Sequence, residues 1–327
     1  MKQHAAEIPV HTFQRKAAIA TGQVQDHAGR VKVSPIQDFD LNRTIFNTLE
    51  GRLPRFVMQT RIAKDVAWNN TEQESVDHSY AAVSQTTDLP TVDAALLKFM
   101  VEECDFDVEH ADGSFLDHLY FCYEYTHHHF PQHSALVMLL HSILGTGTNT
   151  FAMEAEKIPQ LQVLVTEEEW LHIESFPSVL RLLYEGQLTQ SLTDNMDRLD
   201  ALQSLSFYRV IDNQAITLPA DQFWVQLNYQ LIHLVDFLPV ANWHTHANDT
   251  SLILFKKLYA FLDQSGHLEA KVDYIQSNNH KAIDEQQGWG AKLVSMIPVT
   301  VSEKMAGKSI RQFSQRIGHS LDFELHW

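Results

Sequence analysis

Thiols are almost missing from this sequence: 327 residues contain two cysteines, Cys104 and Cys122. Both fall in apolar helical context, which suits buried free thiols in a reducing compartment better than a disulfide. Long apolar runs are missing too. None reaches the ~18 residues that would suggest a membrane-spanning helix, and MKQHAAEIPVHTFQRK has no continuous apolar core of the kind a secretory signal needs. Basic charge is in short supply, with 24 Lys and Arg against 41 Asp and Glu, a net charge of -17. Such a surface repels phosphate backbones and anionic headgroups, which argues against nucleic acid and membrane as partners. There is no internal repeat and no low-complexity tract. These absences together predict a cytoplasmic protein. Its aromatic content is compatible with a homo-oligomer.

What the sequence does have is apolar mass, 44% of residues with 18 phenylalanines, enough for a sizeable core without disulfide or structural zinc. Residues 1–90 read as a polar N-terminal arm with short helical patterns between Asp38 and Ala67, closed by a polar loop ending at Pro90. Residues 91–265 carry the main helical signal. Leu96, Leu97, Met100 and Val101 recur at helical spacing, and Ser114 with Asp117 has the form of a capping box. A helix is expected from Ser134 to Leu144, with Gly145 as its stop. Thr166 and Glu169 form a second capping box, and further helices are expected over Ser178 to Tyr184 and Asn195 to Leu205. FYRVIDNQAITLP has two β-rich pieces around Asp212 and Asn213, a small hairpin. Asp221 precedes the long apolar helix FWVQLNYQLIHLVDFL, and Ser251 to Leu262 is amphipathic. Residues 266–327 read as an extension packed on the same domain, with LVSMIPVTV as a strand or buried segment. The predicted fold is therefore mainly α, a helical bundle with one small β-hairpin and an irregular N-terminal arm.

Chemistry-bearing residues concentrate among the 19 histidines, which cluster. One cluster holds His110, His118 and His127 to His129, a second His133 and His141, and a third, WHTHAND, holds His244 and His246. Imidazole is the commonest metal ligand and titrates near neutrality. His118 shares a helical face with Phe115 and Cys122, and His141 ends an apolar helix, so both are expected to point inward. An inward imidazole needs a hydrogen-bond partner for its ring nitrogens, and a carbonyl or carboxylate serves as well as a metal. His127 to His129 read instead as a cationic cap at a helix C-terminus.

The segments HADGSFLDHLYFCYEY and VMLLHSILGTGTNTF resemble an uncharacterised bacterial family related to the HD superfamily, with its Leu-x-Asp-His-Leu helix and its HSVYGT-type signature. The likeness spans His110 to the WHTHAND region. It implies an HD-like helical bundle binding a divalent metal, with iron or manganese first and zinc next. Precedent in that superfamily is hydrolysis of a small polar substrate, with non-heme iron oxygenases resembling inositol oxygenase as the alternative. On this resemblance His118 and His141 are metal ligands. The neighbouring clusters offer the residues to complete such a site: His110 and His244 as further ligands, His246 or His244 as third ligand or general acid/base, and Asp112 as an acidic group. The sequence departs from the pattern at Ser142 and Asn242, which stand where carboxylates are expected. Those departures disfavour a dinuclear centre and favour, as a third reading, a non-catalytic ligand- or partner-binding protein with a degenerate site.

Other motifs carry less. GTGTNT follows a helix rather than a strand and lacks both the third glycine of a dinucleotide fingerprint and the lysine of a P-loop, so it reads as a helix stop and turn. Asn248 and Asp249 suit a helix cap, with orientation of His246 as their other use. Glu169 is a general base only if it turns inward. No nucleophile elbow is present.

Overall fold

The computed structural model describes residues 92–103, 109–110, 113–145, 153–240, 250–272 and 298–327. Among them the protein is mainly helical, with a three-stranded antiparallel sheet and one two-residue β-pair. The expected N-terminal arm and the segments holding Asp112, Asn242, His244 and His246 lie outside the described residues.

Local signals set several helix starts. Helix α1 (Ala94–Glu103) begins where Asp93 Oδ1 accepts the Ala95 and Leu96 amides. Strands β1 (Glu109–His110) and β2 (Gly113–Ser114) lead into α2 (Phe115–His129), whose last turn holds His127 to His129, half-buried where a surface cap was expected, with burial lowering the His128 pKa. The helix expected from Ser134 to Leu144 is shorter. Only Leu136–Leu140 is α-helical (α3), and residues 141–144 continue as turns to Gly145 at φ 125°. After a short α4 (Ile158–Gln162), α5 runs from Glu167 to Glu185 behind the Thr166 capping box.

α5 corrects the expected break before Ser178, because Pro177 sits inside one continuous helix. Proline removes one ladder hydrogen bond and kinks a helix, but here tertiary packing outweighs that loss. α5 is nearly all buried from Trp170 to Glu185, as a helix must be when it is enclosed on every side. It touches α3, α6 (Gln187–Asp194), α7 (Ala220–Val240), α8 (Thr250–Ser265), α9 (Val299–Ile317) and one strand. The fold is thus a bundle wrapped on α5.

The sheet differs from expectation in two ways. Residues expected to continue a helix from Asn195 form a 3-10 turn, Met196–Ala201, and then strand β3 (Ser204–Tyr208). β3 pairs with β4 (Ala215–Pro219) as the expected hairpin, with Asn213 at φ 58° in its turn. Leu205, Phe207, Ile216 and Leu218 alternate inward, which sets the register. The third strand, β5 (Glu324–His326), comes from the C-terminus and pairs on the other side of β3. The expected strand in LVSMIPVTV is not seen where that segment is described, since Val299 opens the 19-residue helix α9. β-branched residues at 299 and 301 favour a strand locally, while packing of α9 against α5 and α8 favours the helix.

Candidate functional site

Helix α7 is apolar except for a buried polar face. Gln222, Gln226 and Gln230 recur four residues apart, and Tyr229 and His233 do the same, which stacks each set on one side of the helix. α5 faces it with His172 and Phe176, and α3 brings His141. The result is a polar seam through the centre of an otherwise apolar bundle.

His141 is fully buried. Its Nδ1–H donates to the Met138 carbonyl at 2.7 Å, which assigns the proton to Nδ1 and the lone pair to Nε2. Its ring meets His233 edge-on at 4.8 Å between centroids, and Phe176 packs on both, 4.7 Å from His141 and 5.3 Å from His233. Two imidazoles, one just past α3 and one on α7, are therefore packed together with Phe176 in the buried core.

The other end of the seam is held by hydrogen bonds. His172 lies between Gln226 (2.9 Å) and Gln222 (2.8 Å), edge-on to Tyr229. Burial pushes its pKa down despite these partners, so the ring is neutral and donates from one nitrogen only. One glutamine must then present its amide N–H to the ring. Gln226 is that residue, because its Nε2 otherwise has no partner. The Tyr229 hydroxyl donates to the Ser134 carbonyl at 2.9 Å, and Ser134 Oγ donates to Glu169 Oε1 at 2.6 Å. Glu169 Oε2 accepts from Thr166 N and Oγ1, so both its oxygens serve the helix cap and loop. That corrects its candidacy as a general base.

His141 was expected from the sequence to face inward, and it does. His118 and His110 lie on α2 and β1, with side chains outside the described residues. α2 packs on both α3, which His141 directly follows, and α7, which carries His233. Asp112, His244 and His246 are outside the described residues. Sequence reasoning missed His172 and His233. The available signal was polar residues at four-residue spacing inside FWVQLNYQLIHLVDFL. Cys122 is buried on α2.

Whether a divalent metal fits can be judged from the donor set. A metal-bound histidine characteristically donates its other N–H to a carbonyl, as His141 does. Among the described residues, however, no group of three His, Cys, Asp or Glu side chains could hold a metal. The described residues bring together two imidazoles, His141 and His233, which is short of a metal-binding set. Comparison of the chain with protein-family models, curated proteins and solved structures finds no match.

A separate buried imidazole, His319, sets an acid response. Its Nε2–H donates to the Tyr208 carbonyl at 2.9 Å. Burial lowers its pKa from 6.5 to about 4, with Arg181 pushing the same way and the Tyr208 carbonyl opposing. A folded-state pKa below the unfolded one means the unfolded chain takes up the proton first. Stability is then complete above pH ~6.5 and is lost as pH falls toward ~4, by up to ~3 kcal/mol from this group. Urea midpoints measured from about pH 7 down to about pH 5 should fall in the native protein. In His319→Gln the fall should be visibly shallower, and an unchanged slope would remove His319 as its source.

Proposed function

We propose that the protein is a metal-dependent enzyme acting on a small polar molecule, with His141 and His233 as metal ligands and His118 as the third. The observation that carries this reading is the pair of buried imidazoles from α3 and α7, one of them with its proton assigned by a backbone carbonyl. Iron or manganese suits an imidazole-rich donor set, and zinc also accepts it. The metal would supply a Lewis acid for hydrolysis or, as iron, a redox centre for dioxygen. The chain's own part is to orient His141 through Met138, to exclude water with Phe176, and to hold a neutral His172 one turn of α5 from Phe176. His246 and Asp112 are the proposed acid–base groups, with His110 and His244 as further candidate ligands.

A second reading rests on Ser142. It is buried next to His141, where the HD-like pattern would place a carboxylate. A neutral residue there favours binding without catalysis.

Elemental analysis of tag-free protein separates the two. The wild type should hold near-stoichiometric metal, and folded His141→Ala, His233→Ala and His118→Ala variants should lose it, with circular dichroism confirming the fold. A metal-free wild type after anaerobic reconstitution would end the metalloenzyme reading and leave ligand binding.

A further inference from the structure

We propose a second small-molecule site, for a medium-chain alkyl carboxylate, in the cleft where α5 turns into α6 against α8 and α9. Gly186 at φ 94° ends α5 and reverses the chain into α6. Around that corner α8 and α9 pack on α5 and on each other. The cavity left between the four helices measures about 670 Å³, within the range of small-molecule sites. It meets α5 at Leu183, about two turns beyond Phe176. The site is therefore a different place from the buried histidines.

The lining calls for an alkyl chain. Leu183 of α5, Ile253, Leu254 and Phe261 of α8 and Ala306 of α9 supply its apolar surface. A recess of about 10 Å³ adjoins it, on the scale of one water molecule or methyl group. The recess shares Leu183, Thr189, Leu254 and Phe261 with the cavity, and leucines line the rest. A void of that lining takes an apolar group in preference to water, and covering the cavity wall with an alkyl chain removes apolar surface of both from water.

The charged groups choose the other end of the ligand. Thr300, Lys304 and Arg311 line the cavity from one side of α9. Among the described residues the carboxylates of the wall are Glu185 and Glu303, and these are ion-paired with Arg311 and Lys257. Lys304 is the wall cation left over, and it is exposed at the rim. Its ammonium attracts a carboxylate and repels an alkylammonium of the same shape.

The test is calorimetric titration of the full chain with decanoate, kept below its micelle-forming concentration, beside decyltrimethylammonium. The expected result is saturable binding of decanoate and weaker binding of the ammonium. Lys304→Gln should weaken decanoate about fivefold, the scale of one exposed ion pair. Gln264→Trp, at an exposed lining position of α8, should abolish binding by filling the cavity without lowering the urea midpoint. Three results would overturn the proposal. They are no saturable binding of decanoate, binding of the ammonium at least as tight, or a decanoate affinity that either substitution leaves unchanged in the folded protein.

Discussion

Asn228→Ala is expected to destabilise the protein by about 3 kcal/mol, through two amides left without acceptors. Asn228 is fully buried on α7, and its Oδ1 accepts from both Glu269 N and Ala270 N at 2.9 Å. Its Nδ2 donates to the Trp224 and His267 carbonyls. The Trp224 carbonyl also lies on the helix ladder of α7, so its loss matters least. The two amides belong to the segment after α8, and they have no such alternative. His267 from the same segment stacks flat on Trp224 at 3.9 Å, and Lys271 N donates to the His129 carbonyl at 2.9 Å, so Asn228 is the buried side chain among several ties that dock the chain there. Hydrogen exchange is the decisive readout. The Glu269 and Ala270 amides should exchange much faster in the variant, in addition to a lower urea midpoint. Unchanged exchange at these two amides would show that the segment is held by something else.

Gly307→Ala should cost about 2 kcal/mol, although alanine is the better helix former. In an exposed helix interior that change would gain about 1 kcal/mol. Here a Cβ on residue 307 would sit 2.7 Å from the Glu185 carbonyl oxygen and 3.5 Å from its carbon. Backbone cannot rotate away as a flexible side chain can, so α9 must move off α5, and overpacking of this kind costs about 1–3 kcal/mol or more. The clash therefore exceeds the propensity gain. The same movement would pull Arg311, one turn along α9, away from Glu185. Urea unfolding of Gly307→Ala beside Lys308→Ala makes the comparison. Lys308 is exposed, and its replacement should change stability by no more than about 0.5 kcal/mol. Equal stability of the two variants would mean that α9 does not rest on α5 at this glycine.

The candidate centre was half legible. His141 could be expected to be buried because it ends an apolar run, VMLLH, and a residue on the inner face of such a run has nowhere else to go. His233 sits in a similar run and was overlooked, because nothing local marks one inward histidine as the neighbour of another. That pairing depends on α3 and α7 meeting across Phe176 of α5. The same holds for His319, whose burial comes from lying beside the Tyr208 carbonyl of a distant strand.

What the sequence determined by itself is local. The Thr166–Glu169 capping box, the turn at Asn213, the alternation in β4 and the length of α7 each rest on residues within a few positions of one another. From these the mainly helical class and the hairpin follow. Only the tertiary structure decided the continuity of α5 through Pro177, the helical state of residues 299–317 and the third strand at the C-terminus. In each case a local preference was weak or contrary, amounting to ~1–3 kcal/mol. Burial of a whole helix face or strand against distant partners is worth several times more. The enclosure of His141 and His233 belongs to that second group, since it exists only where helices far apart in sequence pack together.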